Sequence, residues 1–272
     1  MNEYIIPGLL IWGLLGGFMG GLLGIGGGLI FVLVIPEAAR QLGVPEESIV
    51  PVTIANSLAC TFITTFSTGI RHFSARADIR KSALITGFTA TLVSILVLKF
   101  IVNPGHLSPK VFHYLFISML VYLSGRMLLQ LRKDQSLPPV SARQGTGNLV
   151  LTGLLAGLVS PLSGLGGGVV VVPFLHAVLH FPIASAQAIS LNVIAISTLI
   201  STVFNMNGPG MHLRVDTSGL IIWPLVFSLG PLAAMSSILG NRIASRMKPA
   251  WSGGIFFLFL LFILLRKIIS PY

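Results

Sequence analysis

Long apolar stretches separated by short polar connections run through the chain, and the first stretch is too long for one helix. It extends from position 5 to position 42, which is 38 residues. A single helix of that length would reach about 57 Å, whereas the hydrocarbon core of a bilayer is about 30 Å thick. The easiest place to bend is the first glycine run (residues 24–28, GIGGG), because glycine is a poor helix former. We predict two pieces, 5–23 and 28–42, that meet in a hairpin or a half-helix break.

Three further helices are predicted before the middle of the chain. The connection 43–48 is polar, residues 103–105 form an Asn-Pro-Gly turn, and Pro109 opens the last helix of this half. The predicted helices cover about 49–69, 82–102 and 110–131. Residues 132–147 have two prolines and mixed charge and are predicted as a cytoplasmic linker. The chain then divides into a first transmembrane repeat (1–131), this linker and a second transmembrane repeat (148–272).

The second half repeats landmarks of the first half at nearly constant spacing. A second glycine run (residues 164–168, GLGGG) follows the first by 140 positions. Other pairs lie 138 or 140 positions apart: Arg76 with Arg214, Asp78 with Asp216, Pro109 with Pro249, and Arg126 with Arg266. Such self-similarity indicates an internal repeat. The register of the second helix stays open, because Asn56 can pair with Asn192, or residues 55–58 (ANSL) can pair with 188–191 (AISL).

Two topologies are compatible with this repeat. Four crossings in each half would make the halves parallel, whereas five would make them inverted. The placement of Lys and Arg does not decide between the two, but the length of the first stretch does, since it cannot cross the membrane only once. We expect an all-α polytopic membrane protein of two inverted repeats, each with about four to five segments and a broken first segment. The basic connections 71–81, 132–143 and 242–248 are expected in the cytoplasm, with both termini outside.

Composition agrees with a membrane protein and excludes several other classes. Of the 272 residues, 54% are hydrophobic and 9% are charged, against about 25% charged in a soluble domain. The net charge of +10 does not indicate nucleic-acid binding, because Lys and Arg gather in short connections, as the positive-inside bias requires. The single cysteine, Cys60, excludes an intrachain disulfide and a thiolate metal cluster. The first stretch lacks a basic start and is too long for a signal peptide, so we predict a mature membrane segment.

The chemistry of the predicted spans favours an anion over a cation. All seven acidic residues fall in connections or at helix ends: Glu3, Glu37, Glu46, Glu47, Asp78, Asp134 and Asp216. A cation transporter or a carboxylate proton relay keeps an ionisable acid within the membrane. The spans also lack a catalytic acid, base or metal cluster. We therefore predict no enzymatic activity, no catalytic or metal-binding residues and no cofactor.

The glycine runs supply what an anion needs. Backbone N–H groups and helix N-termini carry partial positive charge, and broken helices at corresponding positions of two halves point to a transporter site. Side chains on neighbouring helices add hydroxyl and amide donors. The predicted substrate-binding residues are Gly26, Gly27, Gly28, Asn56, Ser57, Ser163, Gly166, Gly167, Gly168, Gln187, Ser190 and Asn192. Glycines spaced by four, such as Gly13, Gly17 and Gly21, are predicted to let helices pack closely instead.

Together these features resemble one family of membrane proteins. Each glycine run is followed by an apolar segment that ends near a proline, Pro36 or Pro173, and residues 56–58 (NSL) follow on the next helix. This pattern, the Arg-x-Asp of residues 76–78 and the chain length resemble the sulfite exporter (TauE/SafE) family of transporters, over essentially the whole chain. The resemblance implies export of small sulfur oxyanions or sulfonates, such as sulfite and sulfoacetate, across the plasma membrane.

We therefore expect a multi-pass protein of the plasma (inner) membrane. Its expected partners are a small anionic substrate and the lipid bilayer, and a homodimer is one expected assembly. The predicted function is a secondary transporter that exports sulfite or an organosulfonate by alternating access at a site between the two repeats. A passive anion channel is the alternative. Flux through a channel would rise linearly with concentration, whereas a carrier saturates and exchanges its substrate.

Overall fold

The fold is built almost entirely from helices. The computed structural model describes residues 5–75, 77–104, 107–132, 145–210, 213, 215–247, 254, 258 and 261. These residues form nine α-helices: α1 (Ile5–Leu23), α2 (Gly28–Gln41), α3 (Ile49–Ala75), α4 (Ala77–Val97), α5 (Pro109–Arg132), α6 (Thr146–Ser163), α7 (Gly168–Ala177), α8 (Ile183–Met206) and α9 (Trp223–Ala244). A 3₁₀ turn (Glu46–Ser48) precedes α3, and a π-helical turn (Leu98–Val102) follows α4. Between α8 and α9, β1 (Thr217–Ser218) pairs antiparallel with β2 (Ile221–Ile222).

The predicted bend in the first apolar stretch is confirmed, because α1 ends at Leu23 and α2 begins at Gly28. The third and fourth helices are longer than predicted: α3 continues to Ala75 and α4 begins at Ala77. Lys, Arg and Ala are good helix formers, so the basic connection continues the helices instead of separating them. The β1–β2 hairpin is not among the predicted elements. Some landmarks of the repeat and most of the linker lie outside the described residues: Arg76, Arg214, Pro249, Arg266 and residues 133–144.

The protein is a multi-pass membrane protein by the length and apolarity of its helices. Five helical segments of the described chain are long and apolar enough to cross a membrane: Glu46–Ile70, Ile79–Val102, Thr146–Ser163, Ile183–Met206 and Trp223–Ala244. The segment Gly8–Leu23 is a shorter apolar helix. On α4, every fourth residue from Leu84 to Leu96 is an exposed large apolar side chain, and Phe88 among them is 63% exposed. Such a stripe suits contact with lipid and would be unfavourable in water.

Helix α3 lies at the centre of the protein. Of the residues in its apolar membrane-length stretch, 83% are buried, against 39% for the corresponding stretch of α9. Helix α3 packs against α2, α8 and α9. Several of its hydroxyls bond to the carbonyl one turn back, as Thr64 does to Cys60 (2.7 Å). Thr68 also reaches α9, where its hydroxyl lies 2.7 Å from that of Ser237. These bonds allow a polar helix to sit in the interior, because polar groups in hydrocarbon need protein partners.

A ladder of glycines joins α1 to α9. A Cβ atom on each glycine would collide with the backbone of α9, in matching order: Gly13 faces Leu229, Gly17 faces Ala233, and Gly21 faces Ser237. Because the residue numbers rise together, the two helices run in the same direction. The prediction that these glycines allow close packing is confirmed, since no side chain fits at these contacts.

The second half contains the matching ladder between α6 and α4. Gly153 faces Thr86 and Gly157 faces Ala90, so these two helices also run in the same direction. The first helix of each half therefore packs against a helix of the other half. The two halves are interlocked, and their apolar interior is shared.

A side chain in the first ladder should destabilise the protein. Gly17→Leu would place its Cβ against the carbonyl oxygen of Ala233, so we expect a loss of at least about 2 kcal/mol, the scale of core overpacking. Gly8→Leu is the matched control in the same helix, because a Cβ there meets no atom within 4 Å. Thermal unfolding in detergent, followed by size-exclusion chromatography, measures both. Equal midpoints for the two variants would contradict the ladder.

Candidate functional site

Both glycine runs contain backbone that only glycine adopts readily. Five of their glycines have positive φ angles: Gly24 (+70°), Gly26 (+75°), Gly164 (+70°), Gly166 (+76°) and Gly167 (+78°). Side chains are strained in this left-handed region. The helices α1 and α6 therefore end at the runs. After the first run the chain turns back along α1, because Gly16 of α1 lies against Phe31 of α2.

The two glycine runs are in direct backbone contact. A Cβ atom on Gly28 would lie 2.8 Å from Cα of Leu165 and 3.0 Å from the carbonyl oxygen of Gly164. A Cβ atom on Gly168 would lie 2.9 Å from Cα of Ile25. Every residue of both runs is buried. The structure thus brings together the six predicted site glycines in the interior.

The runs also hold unpaired backbone donors. The first bonds of α2 run from the N–H groups of Ile30 and Phe31 to the carbonyl of Gly27 (3.1 and 3.3 Å), and α7 begins in the same way at Gly167. Outside the regular helical bonds, the described residues provide no backbone acceptor for the N–H groups of 26–28 and 166–168, as is usual for N–H groups at the start of a helix. Because helix N-termini carry partial positive charge, two such ends at one buried place form a favourable setting for an anion.

Ser57 ties both runs to α3. Its hydroxyl donates to the carbonyl oxygen of Gly164 (2.7 Å) and lies 3.4 Å from that of Gly28. The side chain is fully buried. Since its proton points at carbonyl groups, Ser57 in this arrangement holds the two runs in register. Ser57, a predicted substrate-binding residue, lies against both glycine runs, and its hydroxyl proton is used in these bonds.

Asn56 lies on the next face of α3 and holds the β1–β2 hairpin. Its amide nitrogen donates to the carbonyls of Val52 (2.8 Å) and Leu220 (2.9 Å), and its amide oxygen accepts from the N–H of Ile222 (2.8 Å). Both N–H donors of the amide are therefore used. Asn56 has no donor left for an anion in this arrangement.

Of three other predicted side chains, Ser163 and Gln187 border the glycine runs and Asn192 lies further away. Ser163 donates to the carbonyl of its own helix at Val159 (2.7 Å), and Gln187 packs against Gly24 and reaches the carbonyl of Leu23 (3.4 Å). Asn192 donates to the carbonyl of Ala188 on α8 (2.8 Å). Its amide oxygen faces Gly69, near the far end of α3. Of the three, Ser163 and Gln187 adjoin the glycine runs.

The helix segments that contact the glycine runs are 54–65 of α3 and 187–198 of α8. Within them, two buried hydroxyls have no hydrogen-bond partner among the described residues. One is Ser190, a predicted site residue on α8. The other is Thr61 of α3, which was not among the predicted site residues. Its Oγ1 lies 3.0 Å from the position of a Cβ on Gly28, and its methyl group faces Gly26 and Gly166. The sequence signal for Thr61 is its spacing: it follows Ser57 by one helical turn and so lies on the same face.

The contacts of the glycine runs settle which helix positions correspond. The equivalent glycines Gly24 and Gly164 pack on Gln187 of α8 and Ile54 of α3, respectively. The equivalent pair Gly26 and Gly166 packs on Thr61 and Thr65 of α3 and on Ile194 and Thr198 of α8, respectively. The corresponding residues of α3 and α8 are 133 positions apart in each case: Ile54 with Gln187, Thr61 with Ile194, and Thr65 with Thr198. This register pairs 55–58 with 188–191. Asn56 then corresponds to Ile189, not to Asn192.

A cavity of about 60 Å³ lies between α2, α3 and α5. Its lining is mostly apolar and includes Val32, Phe112 and Phe116, with Arg40 also in the wall. Arg40 pairs with Glu46 (2.8 Å). Thr53 also lines the cavity, and its buried hydroxyl has no hydrogen-bond partner among the described residues.

No acidic or metal-binding group competes with an anion at this centre. In the ranges that the structure describes, no cluster of three His, Cys, Asp or Glu side chains could hold a metal ion. Glu37 and Glu46 lie at the protein surface, with side chains 67% and 69% exposed. The N-termini of α2 and α7 contribute partial positive charge at this centre.

The hydrogen bonds of Asn56 lead to a stability prediction. Asn56→Ala would leave the carbonyl of Leu220 and the N–H of Ile222 without their side-chain partner, so we expect a loss of about 2–4 kcal/mol. Asn207→Ala removes one exposed bond to Val203 and should cost below about 0.5 kcal/mol. Thermal unfolding in detergent compares the two. A wild-type midpoint for Asn56→Ala, combined with weaker anion binding, would make Asn56 a ligand instead.

Comparisons with known proteins identify relatives among membrane transporters. The profile of the family Sulfite exporter TauE/SafE matches residues 9–266. A probable membrane transporter protein of Haemophilus influenzae is 29% identical over 280 residues, which covers 99% of this chain and 100% of the relative. A probable membrane transporter protein of Methanocaldococcus jannaschii is 26% identical over 252 residues, covering 90% of this chain and 88% of the relative. No solved structure matches the chain. The family profile spans nearly the whole sequence, and the protein belongs to the TauE/SafE sulfite exporter family of membrane transporters.

Proposed function

We propose that the protein is a secondary transporter that exports a small anion, sulfite or an organosulfonate, across the plasma (inner) membrane. The observation that carries this proposal is the meeting of two glycine runs with unpaired N–H groups in the buried interior. An unpaired N–H group in a low-dielectric interior is costly. A bound oxyanion would satisfy several such donors at once, and two helix N-termini would offset its charge.

Burial of the site favours a carrier over a passive channel. Every residue of both glycine runs is enclosed by protein. Both runs also come from the first helix of their half, so each half contributes one side of the site. A site shared in this way changes its exposure when the halves move relative to one another, which is the basis of alternating access.

The direction of the helices supports an inverted relation between the halves. The chain reverses between α1 and α2. It reverses again between α2 and α3, because Gly26 lies beside Thr61 whereas Pro36 and Ile49 line the same cavity. Val97 and Leu98, at the end of α4 and just after it, share a core cluster with Leu58 in the middle of α3, so α4 runs back along α3 and opposite to α1. Helix α6 runs with α4 and is therefore also opposite to α1. Equivalent helices with opposite directions are the signature of inverted repeats.

A line of hydroxyls on α3 supplies a route to the site. Thr53, Ser57 and Thr61 are one helical turn apart and share one face. Thr53 lines the cavity between α2, α3 and α5, Ser57 bonds to the second glycine run, and Thr61 lies between the runs. An anion that enters through the cavity would pass Arg40, which pairs with Glu46, and would then meet neutral hydroxyls along this face of α3.

Counterflow in proteoliposomes tests the proposed function. Vesicles loaded with unlabelled sulfite or ethanesulfonate should take up the same radiolabelled anion faster than empty vesicles, and the initial rate should saturate with concentration. Saturation follows from a limited number of binding sites that must reorient. A linear, non-exchanging flux would identify a passive anion channel. No flux above that of protein-free liposomes, with either anion, would reject the transport proposal.

The contact between the glycine runs predicts loss of transport in alanine variants. Gly28→Ala and Gly168→Ala each place a methyl group within 3 Å of opposing backbone, which has to move. We expect the rate of counterflow to fall at least about tenfold, the effect of a misplacement of about 1 Å. Gly125→Ala in α5 is the control, because its Cβ meets nothing within 4 Å. Wild-type flux in both variants, with normal elution on size-exclusion chromatography, would refute the site assignment.

A further inference from the structure

The hydroxyl of Thr61 is unlike those of its neighbours on α3. Thr64, Thr65 and Thr68 each donate to the carbonyl oxygen four residues earlier, at 2.7, 2.8 and 3.3 Å. This is the usual way to satisfy a threonine within a membrane helix. Thr61 is equally buried, at 0% exposure, but its Oγ1 has no partner among the described residues. The side chain is thus turned away from its own helix and its hydroxyl is available.

Thr61 is placed where the glycine runs meet. Its Cγ2 methyl would lie 2.8 Å from a Cβ on Gly26 and 3.0 Å from a Cβ on Gly166, and its Oγ1 would lie 3.0 Å from a Cβ on Gly28. Gly28 is the first residue of α2. The hydroxyl therefore stands beside the unpaired N–H groups at the N-terminus of α2, and it can donate toward the same ligand as they do.

The equivalent position at the second run is hydrocarbon. Ile194 corresponds to Thr61, and its Cγ2 would lie 2.8 Å from a Cβ on Gly166 while its Cδ1 covers the position of a Cβ on Gly168. The methyl groups of Thr65 and Thr198 also face the runs, and the hydroxyls of both are bonded within their own helices. The centre is therefore polarised, with a hydroxyl at the α2 end and a branched alkyl group at the α7 end.

We propose that Thr61 and Ile194 determine specificity at this site: Thr61 binds the oxyanion head of the substrate, and Ile194 contacts an apolar substituent. The site would then prefer an organic anion with one oxyanion head to a small inorganic oxyanion. A sulfonate head directs three acceptor oxygens toward the N–H groups of α2 and the Thr61 hydroxyl, and its carbon substituent lies against Ile194. Sulfite is polar on every side, so one side of it would lose its water against Ile194 without a new hydrogen bond. The inference rests on the proposed anion transport and names the chemical class of its substrate.

Four variants test the proposal in the full-length protein reconstituted in proteoliposomes. The measured quantities are the KM values for radiolabelled ethanesulfonate and sulfite. In wild type we expect the KM for ethanesulfonate to be at least about tenfold lower than that for sulfite. Thr61→Val should raise both KM values at least about tenfold, the loss expected for one hydrogen bond to a charged group, whereas Thr61→Ser should stay within about threefold of wild type because it keeps the hydroxyl.

The Ile194 pair tests the apolar end. Ile194→Thr keeps the branched shape and adds a hydroxyl, so it should reduce the preference for ethanesulfonate over sulfite at least about fivefold, the effect of one typical hydrogen bond. Ile194→Val is the matched control, because valine has the shape of threonine without its hydroxyl. The preference in Ile194→Thr should therefore lie at least about fivefold below that in Ile194→Val. Unfolding midpoints of the detergent-solubilised variants identify any that fail to fold.

The outcomes separate the two proposals. Saturable flux in wild type with a lower KM for sulfite, or an unchanged ratio in Ile194→Thr, would overturn the specificity proposal and leave anion transport standing. Wild-type KM values in Thr61→Val would remove Thr61 as a ligand. Should Thr61→Val fail to fold, the ratio in Ile194→Thr decides. Absence of saturable flux for either anion in folded wild type would instead reject the transport proposal itself.

Discussion

The constraint on which this structure depends is the contact of two non-helical backbone segments inside a membrane protein. At Gly28 against Leu165, and again at Gly168 against Ile25, a side chain would collide with opposing backbone. Irregular backbone is stable at that depth only when protein encloses it. The glycine runs therefore require the surrounding helices to close over them, and they also need partners for their carbonyl groups, which α3 provides through Ser57.

Helix α3 can provide those partners because hydroxyls are the least costly polar groups to bury in a helix. A threonine whose hydroxyl bonds to the preceding turn adds no unsatisfied donor, and Thr64 and Thr65 do so. From Ile49 to Ile70 the helix can thus be polar enough to bond to the glycine runs without carrying a charged side chain. The glycine ladders allow close packing at the periphery, since they bring α1 against α9 and α6 against α4. In the second ladder, the hydroxyls of Thr86 and Ser94 on α4 also donate to the carbonyl oxygens of Leu149 and Gly157 on α6 (3.2 and 3.1 Å).

The sequence predicted the features that depend on length and on local chemistry. The bend between α1 and α2 followed from an apolar stretch too long for one crossing, and the ladder of Gly13, Gly17 and Gly21 followed from spacing by four. Features set by distant contacts were not predicted. The role of Asn56 depends on a hairpin 164 residues away in the chain, and the hairpin itself is too short to leave a periodic pattern.

Thr61 was missed for a similar reason. Thr61 is the same residue type as Thr64 and Thr65 and lies in the same helix. Only its hydroxyl, which does not bond to the preceding turn, distinguishes it. The register between α3 and α8 was also open in the sequence, because two asparagines suggested one pairing and two ANSL-like segments another. Packing of the glycine runs on Ile54 and Gln187 selects the second pairing. Side-chain direction and the register between helices are set by tertiary contacts, so the pattern of residues in one sequence does not predict them.

The β1–β2 hairpin makes the two halves unequal. In the first half, α3 ends at Ala75 and α4 begins at Ala77, whereas in the second half the hairpin is inserted between α8 and α9. It is clamped by Asn56 of the opposite half, and the corresponding Ile189 offers no such bond. Under the proposed alternating access, two identical halves would give inward-facing and outward-facing forms of equal energy. The hairpin bonds would then stabilise only the form that contains them, so the hairpin would shift the balance between the two forms from a position away from the glycine runs.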